Sequence, residues 1–276
     1  VRVTPIVFIH GAFCGGWAFS RFRQPFEAHG YETHAPNLPH HERGADLEAL
    51  AELGVADYAE AIVSYVSNLR AAPVLVGHSL GGLVAQLGAM RTECAALVLL
   101  APSAPWGVPA TTLEETGNAF GVAMLGQYWR RPISPDYSIA RQTTLDRLSR
   151  EEARRTFAHF TPESGRAIME VVHWWADTSM AAAAPVNQIK APLLLVAGGA
   201  DRVNASSTVR RIAGRFPEGQ AHFHEFSTMS HWLVGEPEWP AVAQLTLDWL
   251  AARALAPAKK KRGLSRLFGM LERAGK

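Results

Sequence analysis

Cysteine is nearly absent from this 276-residue chain, which has only Cys14 and Cys94. That excludes a small disulfide-stapled scaffold and makes a reducing compartment the simpler reading. An excess of one charge is also lacking: the formal balance is +2 at pH 7, too small a field to recruit nucleic acid. Part of that excess is local, in Lys259-Lys260-Lys261-Arg262. No apolar run approaches the roughly 20 residues of a membrane-spanning helix. No basic, long-apolar, small-residue leader precedes the first β-rich run, so the expectation is a cytoplasmic protein. What is plentiful is core material: 48% of residues are hydrophobic and 19% charged. The length suits one α/β domain carrying an insertion.

β-Rich runs open the chain. Val3 to Ile9 reads as a strand ending in His10-Gly11, Phe19 to His29 as helical, and Tyr31 to Pro36 as a short strand. Tyr58, Ile62, Tyr65, Val66 and Leu69 have helical spacing over 56–69. Pro73 to Gly77 and Ala96 to Ala101 read as buried strands flanking a helix over Leu83 to Met90, and Pro102 and Pro105 then break the pattern. Alternation resumes with strand Pro192 to Ala197, helix Ser206 to Phe216, strand Ala221 to Phe226 and helix Trp239 to Ala254. Near-continuous apolar strands alternating with helices predict a mostly parallel α/β sheet covered on both faces.

The expected division is a core of residues 1–102 and 187–256, interrupted by a helical cap over 103–186. The last segment, 257–276, is a basic tail with Leu264, Leu267, Phe268 and Leu271 at helical spacing. It reads either as a charged terminus or as an amphipathic helix that touches a membrane surface or a partner.

Chemistry concentrates at Gly77-His78-Ser79-Leu80-Gly81-Gly82, between a buried strand and a helix. A serine on such a tight turn takes a strained conformation that lifts its hydroxyl clear of the sheet, and small neighbours two positions either side avoid clashes. The hydroxyl is a weak nucleophile at neutral pH and needs an adjacent base. In this motif the chain order is serine, acid, histidine. His231, on a loop after the last strand, is the predicted general base. His222 and His224 alternate within a strand, and His159 and His173 fall in the insertion. Asp201, just past Gly198-Gly199-Ala200, is the predicted orienting acid. A surface Asp201-Arg202 turn is the competing reading and Asp177 the main rival, while Asp248 in the terminal helix reads as exposed. Of the two backbone donors that a tetrahedral intermediate needs, Leu80 supplies one. Ala12, with Phe13 next, supplies the other from the glycine-rich loop His10 to Trp17. Cys14 reads as a packing or pocket residue rather than a reactive thiol.

With these residues placed, the chain resembles the α/β-hydrolase superfamily over nearly its whole length. His10-Gly11-Ala12-Phe13-Cys14-Gly15-Gly16-Trp17 resembles the oxyanion loop of the plant methylesterase and hydroxynitrile lyase group. The resemblance implies a Ser79–His231–Asp201 triad, Ala12 and Leu80 as oxyanion donors, and no metal or organic cofactor. The chain departs from the superfamily pattern in opening on what would be its third strand, which implies six strands. It also has Asn37-Leu38-Pro39-His40-His41 where many relatives have Asp-Leu-Pro-Gly-His-Gly. Gly11 and Trp232 stand where lyases of the group have threonine and lysine, which argues against lyase chemistry.

The resulting expectation is a serine esterase or lactonase acting on a small, neutral, partly apolar molecule through an acyl-enzyme. Cofactor-free perhydrolysis, C–C bond hydrolysis and a hydrolase-derived receptor are the alternatives. Phe13, Trp129, Trp174 and Trp175, with Phe157, Phe160 and Met169, are candidates to line an apolar pocket over Ser79. Each tryptophan has packing of the insertion onto the core as its competing role.

Overall fold

The computed structural model describes residues 4–257. The tail expected over 257–276 therefore lies outside the described residues, Pro257 apart.

The first part of the chain forms β1 (Ile6–Ile9), α1 (Gln24–Ala28), β2 (Thr33–His34), α2 (Leu47–Glu52), α3 (Val55–Ser67), β3 (Val74–His78), α4 (Leu80–Ala89) and β4 (Ala96–Leu100). Strand–helix alternation then stops. There follow α5 (Leu113–Ala123), β5 (Pro132–Ile133), α6 (Tyr137–Gln142), α7 (Arg150–Phe157), β6 (Glu163–Ser164) and α8 (Gly165–Val172). Alternation returns with β7 (Leu193–Gly198), α9 (Ser206–Ala213), β8 (Ala221–Phe226) and α10 (Trp239–Ala251).

Six strands form one sheet in the order β2-β1-β3-β4-β7-β8, every neighbouring pair parallel. Successive side chains on a strand point to opposite faces, and the core divides accordingly. Ile6, Phe8, Val74, Val76, Val98, Leu100, Leu194 and Val196 pack on one side. Val7, Ile9, Leu75, Leu97, Leu99, Leu193 and Leu195 pack on the other. Burial on both faces is why these strands read as unbroken apolar runs.

Three boundaries differ from expectation for local reasons. The helix expected over 19–29 is a 3₁₀ turn at Gly16–Phe19 followed by α1, with Pro25 in the first turn of that helix. Proline has no N–H to give, so a helix accommodates it at its start. α4 begins at Leu80, because Gly81 and Gly82 act as close-packing positions rather than helix breakers. The region 103–186 is not wholly helical, since β5 and β6 form a short antiparallel pair.

Phe8 sits at the centre of an aromatic cluster, 5.0 Å from Phe19, 6.2 Å from Phe22 and 5.5 Å from Phe26 between ring centroids. It is fully buried. Phe8→Ala is expected to cost about 3–5 kcal/mol of stability, read as a fall in the urea midpoint; a loss of under about 1 kcal/mol would contradict this packing account.

Candidate active site

All strands of a parallel sheet present their carboxyl ends on one edge, and three of the connections there carry the candidates Ser79, Asp201 and His231. Ser79 occupies the turn between β3 and α4 with φ 53° and ψ −122°, a strained backbone for a residue with a side chain. Its amide donates to the Leu100 carbonyl at 3.0 Å, and its own carbonyl accepts from Gly82 and Ser103, each at 2.9 Å. Glycine is required on both sides. A Cβ on Gly77 would lie 2.2 Å from the Gly81 carbonyl oxygen, and one on Gly81 would lie 2.1 Å from that of Ile9.

His231 follows β8 and is buried. Its Nδ1 lies 2.8 Å from Asp201 Oδ2 and its Nε2 3.0 Å from Ser79 Oγ. A carboxylate can only accept, so Nδ1 carries the proton and Nε2 is left to accept from the serine hydroxyl. Asp201 is buried while Arg202 is exposed, which disposes of a surface Asp-Arg turn. The other oxygen, Oδ1, accepts from the amides of Val203 and Asn204 at 2.7 and 2.9 Å, holding the carboxylate in plane for the imidazole. Asp177 instead accepts from Ser179 and Ala181, and Asp248 is exposed on α10.

Sequence reasoning missed Glu236. Its buried carboxylate accepts from the amides of Ser230 and Trp232, each at 2.9 Å, and so grips the backbone on both sides of His231. Burial holds its carboxyl above the ordinary carboxylate range, against the pull of those two amides. His78 is a second residue missed. Its Nε2 donates to the His231 carbonyl at 2.8 Å, leaving Nδ1 buried without a partner.

Leu80 is the first residue of α4, where an amide has no carbonyl one turn back to bond. On the opposing loop, the Ala12 amide makes no hydrogen bond among the described residues, whereas that of Phe13 donates to Glu163 Oε2 at 3.3 Å. Of the two candidates in that loop, Ala12 is thus the one whose amide has no partner among the described residues. Cys14 is buried, which raises its thiol pKa well above the ordinary value. Cys94 is likewise free and unpaired with Cys14.

The aromatic candidates do not gather in one place, although Trp174 and Trp175 touch at 5.9 Å between ring centroids. Phe157 and Phe160 lie 5.4 Å apart, and Phe160 lies 6.0 Å from Trp17 and 6.2 Å from Trp232. This wall joins the loop after β1 to the residue after His231. Trp174 packs edge-on against Trp106 at 5.2 Å. Trp129 and Trp175, with Tyr128, Met169 and His173, line a cavity of about 660 Å³ whose walls include none of Ser79, Asp201 and His231. Phe13 has φ 63° and is held by its backbone, its carbonyl accepting from Thr161 at 2.9 Å.

A family model described as the alpha/beta hydrolase family matches residues 6–245. Among curated proteins, the chain is similar to a pyrethroid hydrolase of Sphingobium wenxiniae, at 35% identity over 30% of this chain and 29% of that protein. It is also similar to salicylic acid-binding protein 2 of Nicotiana tabacum, at 36% identity over 28% of this chain and 30% of that one. The alignments thus span about a third or less of these two relatives. Among solved structures, a methylesterase from Arabidopsis superposes with a TM-score of 0.69 at 16% identity, covering 90% of this chain and 99% of its own. At that identity the likeness speaks for the fold.

Three buried histidines around the site make stability pH-dependent. Burial lowers His10 and His78 to about 3, with the neighbouring His41 and His231 respectively pushing the same way. Burial would also lower His41, but Glu163 beside it raises the value above the ordinary one. An unfolded histidine takes up its proton near about 6.5. Below that pH the unfolded chain binds protons that folded His10 and His78 do not, so stability falls with pH until their folded values are reached. His41 contributes the opposite sign, its stabilisation being full below about 6.5 and lost as pH rises through its raised folded value. The shifts of His10 and His78, down to about 3, are the large ones and outweigh the opposing contributions of His41 and Glu236, so the urea midpoint should drop from about pH 7 to about pH 5, and less steeply in His78→Asn. A wild-type midpoint that rises over that range contradicts the assignment.

Proposed function

This chain belongs to the alpha/beta hydrolase family, and we propose that it hydrolyses carboxylic esters or lactones through an acyl-enzyme on Ser79. The carrying observation is the relay from Ser79 Oγ through His231 to Asp201, at 3.0 and 2.8 Å, with the serine on a strained turn. In this reading His231 Nε2 takes the hydroxyl proton as Ser79 attacks the ester carbonyl. The Leu80 and Ala12 amides stabilise the tetrahedral oxyanion. The proton passes from His231 to the leaving alkoxide, so that an alcohol departs and the acyl group stays on Ser79. Water then attacks as His231 again takes a proton, and His231 returns it to the Ser79 oxygen as the bond to the acyl carbon breaks and the acid leaves. Asp201 holds the imidazole in the required tautomer.

Gly11 supports hydrolysis over lyase chemistry. A Cβ there would lie 2.9 Å from the Ser79 Cβ, so the threonine that lyases of the related group place at this point has no room beside the serine. The substrate is read as a neutral, partly apolar ester of modest size. Two names among the relatives, pyrethroid hydrolase and methylesterase, are compatible with that class. We read residues 103–186 as a cap, with the Trp17–Phe160–Trp232 wall as the apolar side of the pocket.

The test is release of nitrophenolate from short and medium-chain p-nitrophenyl esters. Turnover by the wild type is expected, with a loss of about a thousandfold or more in kcat for Ser79→Ala. Folded wild-type protein that turns over neither esters nor lactones would contradict the proposal.

A further inference from the structure

Glu163 is a fully buried acid outside the relay described above. It lies in β6, in the segment between β4 and β7, and yet its carboxylate meets three separate parts of the core. Oε1 accepts from the Tyr58 hydroxyl of α3 at 2.6 Å and from the Ser164 amide at 2.8 Å. Oε2 lies 3.0 Å from His41 Nε2 and accepts from the Phe13 amide at 3.3 Å. His41 Nδ1 faces the Pro39 carbonyl at 2.9 Å. The Pro39 carbonyl and an ionised Glu163 can only accept, so this geometry favours the ring with both nitrogens donating, in line with the upward pull of Glu163 on His41. Glu163 and His41 thus form a buried ion pair. Burial alone would raise the Glu163 carboxyl, but His41 and the hydrogen bonds hold it below the ordinary range.

The pair is costly to bury, and its arrangement says what it is for. Phe13 has a left-handed backbone, φ 63°, and is held on both edges by one short segment. Its amide donates to Glu163, and its carbonyl accepts from the Thr161 amide at 2.9 Å. The Thr161 hydroxyl also reaches the Cys14 carbonyl, at 3.5 Å. Immediately before this bolted residue stands Ala12, whose amide is free.

We propose that Glu163 is a positioning residue for the oxyanion loop, drawing the Phe13 amide away from the reacting centre so that the Ala12 amide alone faces it from that side. This rests on the esterase reading of Ser79. It ties residues 161–164 to the catalytic geometry, so a shift of that segment carries the oxyanion loop with it. His41 keeps the carboxylate ionised and fixes its orientation. His40, with φ 60°, lets the chain turn to bring His41 inward at the point where many relatives have glycine.

Three variants test it on p-nitrophenyl ester turnover. Glu163→Gln keeps the shape but removes the charge that holds His41. Glu163→Asp keeps the charge and withdraws the oxygen from the Phe13 amide by one methylene. Tyr58→Phe removes a bond to the same carboxylate while leaving the Phe13 contact. Both Glu163 variants are expected to lose about tenfold or more in kcat with KM changed less than about threefold. They should lose affinity for a trifluoromethyl ketone, whose adduct places an oxyanion in the hole, by a similar factor. Tyr58→Phe should lower the urea midpoint and leave kcat and ketone affinity within about threefold. The proposal is overturned if folded Glu163→Asp keeps wild-type kcat and ketone affinity. It is equally overturned if Tyr58→Phe loses as much of both as the Glu163 variants, since the carboxylate would then act through stability alone. Failure of the esterase reading shows separately, as wild-type turnover that survives Ser79→Ala.

Discussion

Six parallel strands must all end on the same edge, and this one constraint assembles the site. The turn after β3, the loop after β7 and the loop after β8 carry Ser79, Asp201 and His231, which lie 122 and 30 positions apart in sequence but within hydrogen-bond reach in space. The loop after β1 brings Ala12 to the same edge from the other side of β3, its neighbour in the sheet. Parallel pairing needs helical crossovers, the crossovers bury both faces, and the doubly buried sheet is rigid enough to hold a strained serine turn. The strain at φ 53° persists because the glycines at 77 and 81 let neighbouring backbone approach within distances that no side chain would permit.

Around that edge lie buried carboxylates, each tied to backbone amides. Asp201 binds the amides of Val203 and Asn204, Glu236 those flanking His231, and Glu163 those of Phe13 and Ser164. A carboxylate that accepts several hydrogen bonds defines the position of each donor, whereas apolar packing tolerates small slides. Oxyanion stabilisation depends on donors held in place before the reaction begins. The polar groups therefore secure the loops, and the apolar sheet secures the polar groups.

Much of this was legible in the sequence, for physical reasons. Val74 to Val76, Ala96 to Leu100 and Leu193 to Ala197 are buried on both faces, so their apolar runs announce strands without help from distant residues. Ser79 carries a local signature because its turn demands small residues at fixed offsets, and Asp201 and His231 follow from their places after later strands. Glu163, Glu236 and His78 were not legible. A buried charge is distinguished from a solvated one by its partners, and those of Glu163 lie 105 to 150 positions away at Tyr58, His41 and Phe13. Nor could the sequence separate the tryptophans, because Trp129 and Trp174 occupy similar helix-rich surroundings and face different neighbours. β5 and β6 have two residues each, too few to show any period.

The central claim is that His231 makes Ser79, and no other hydroxyl, a nucleophile. Incubation with a fluorophosphonate, followed by mass mapping of the peptides, tests it most directly. The account predicts one adduct per chain, on Ser79, with labelling slowed by several orders of magnitude in His231→Ala. Labelling at another residue, or labelling of Ser79 that proceeds as fast without His231, would contradict it.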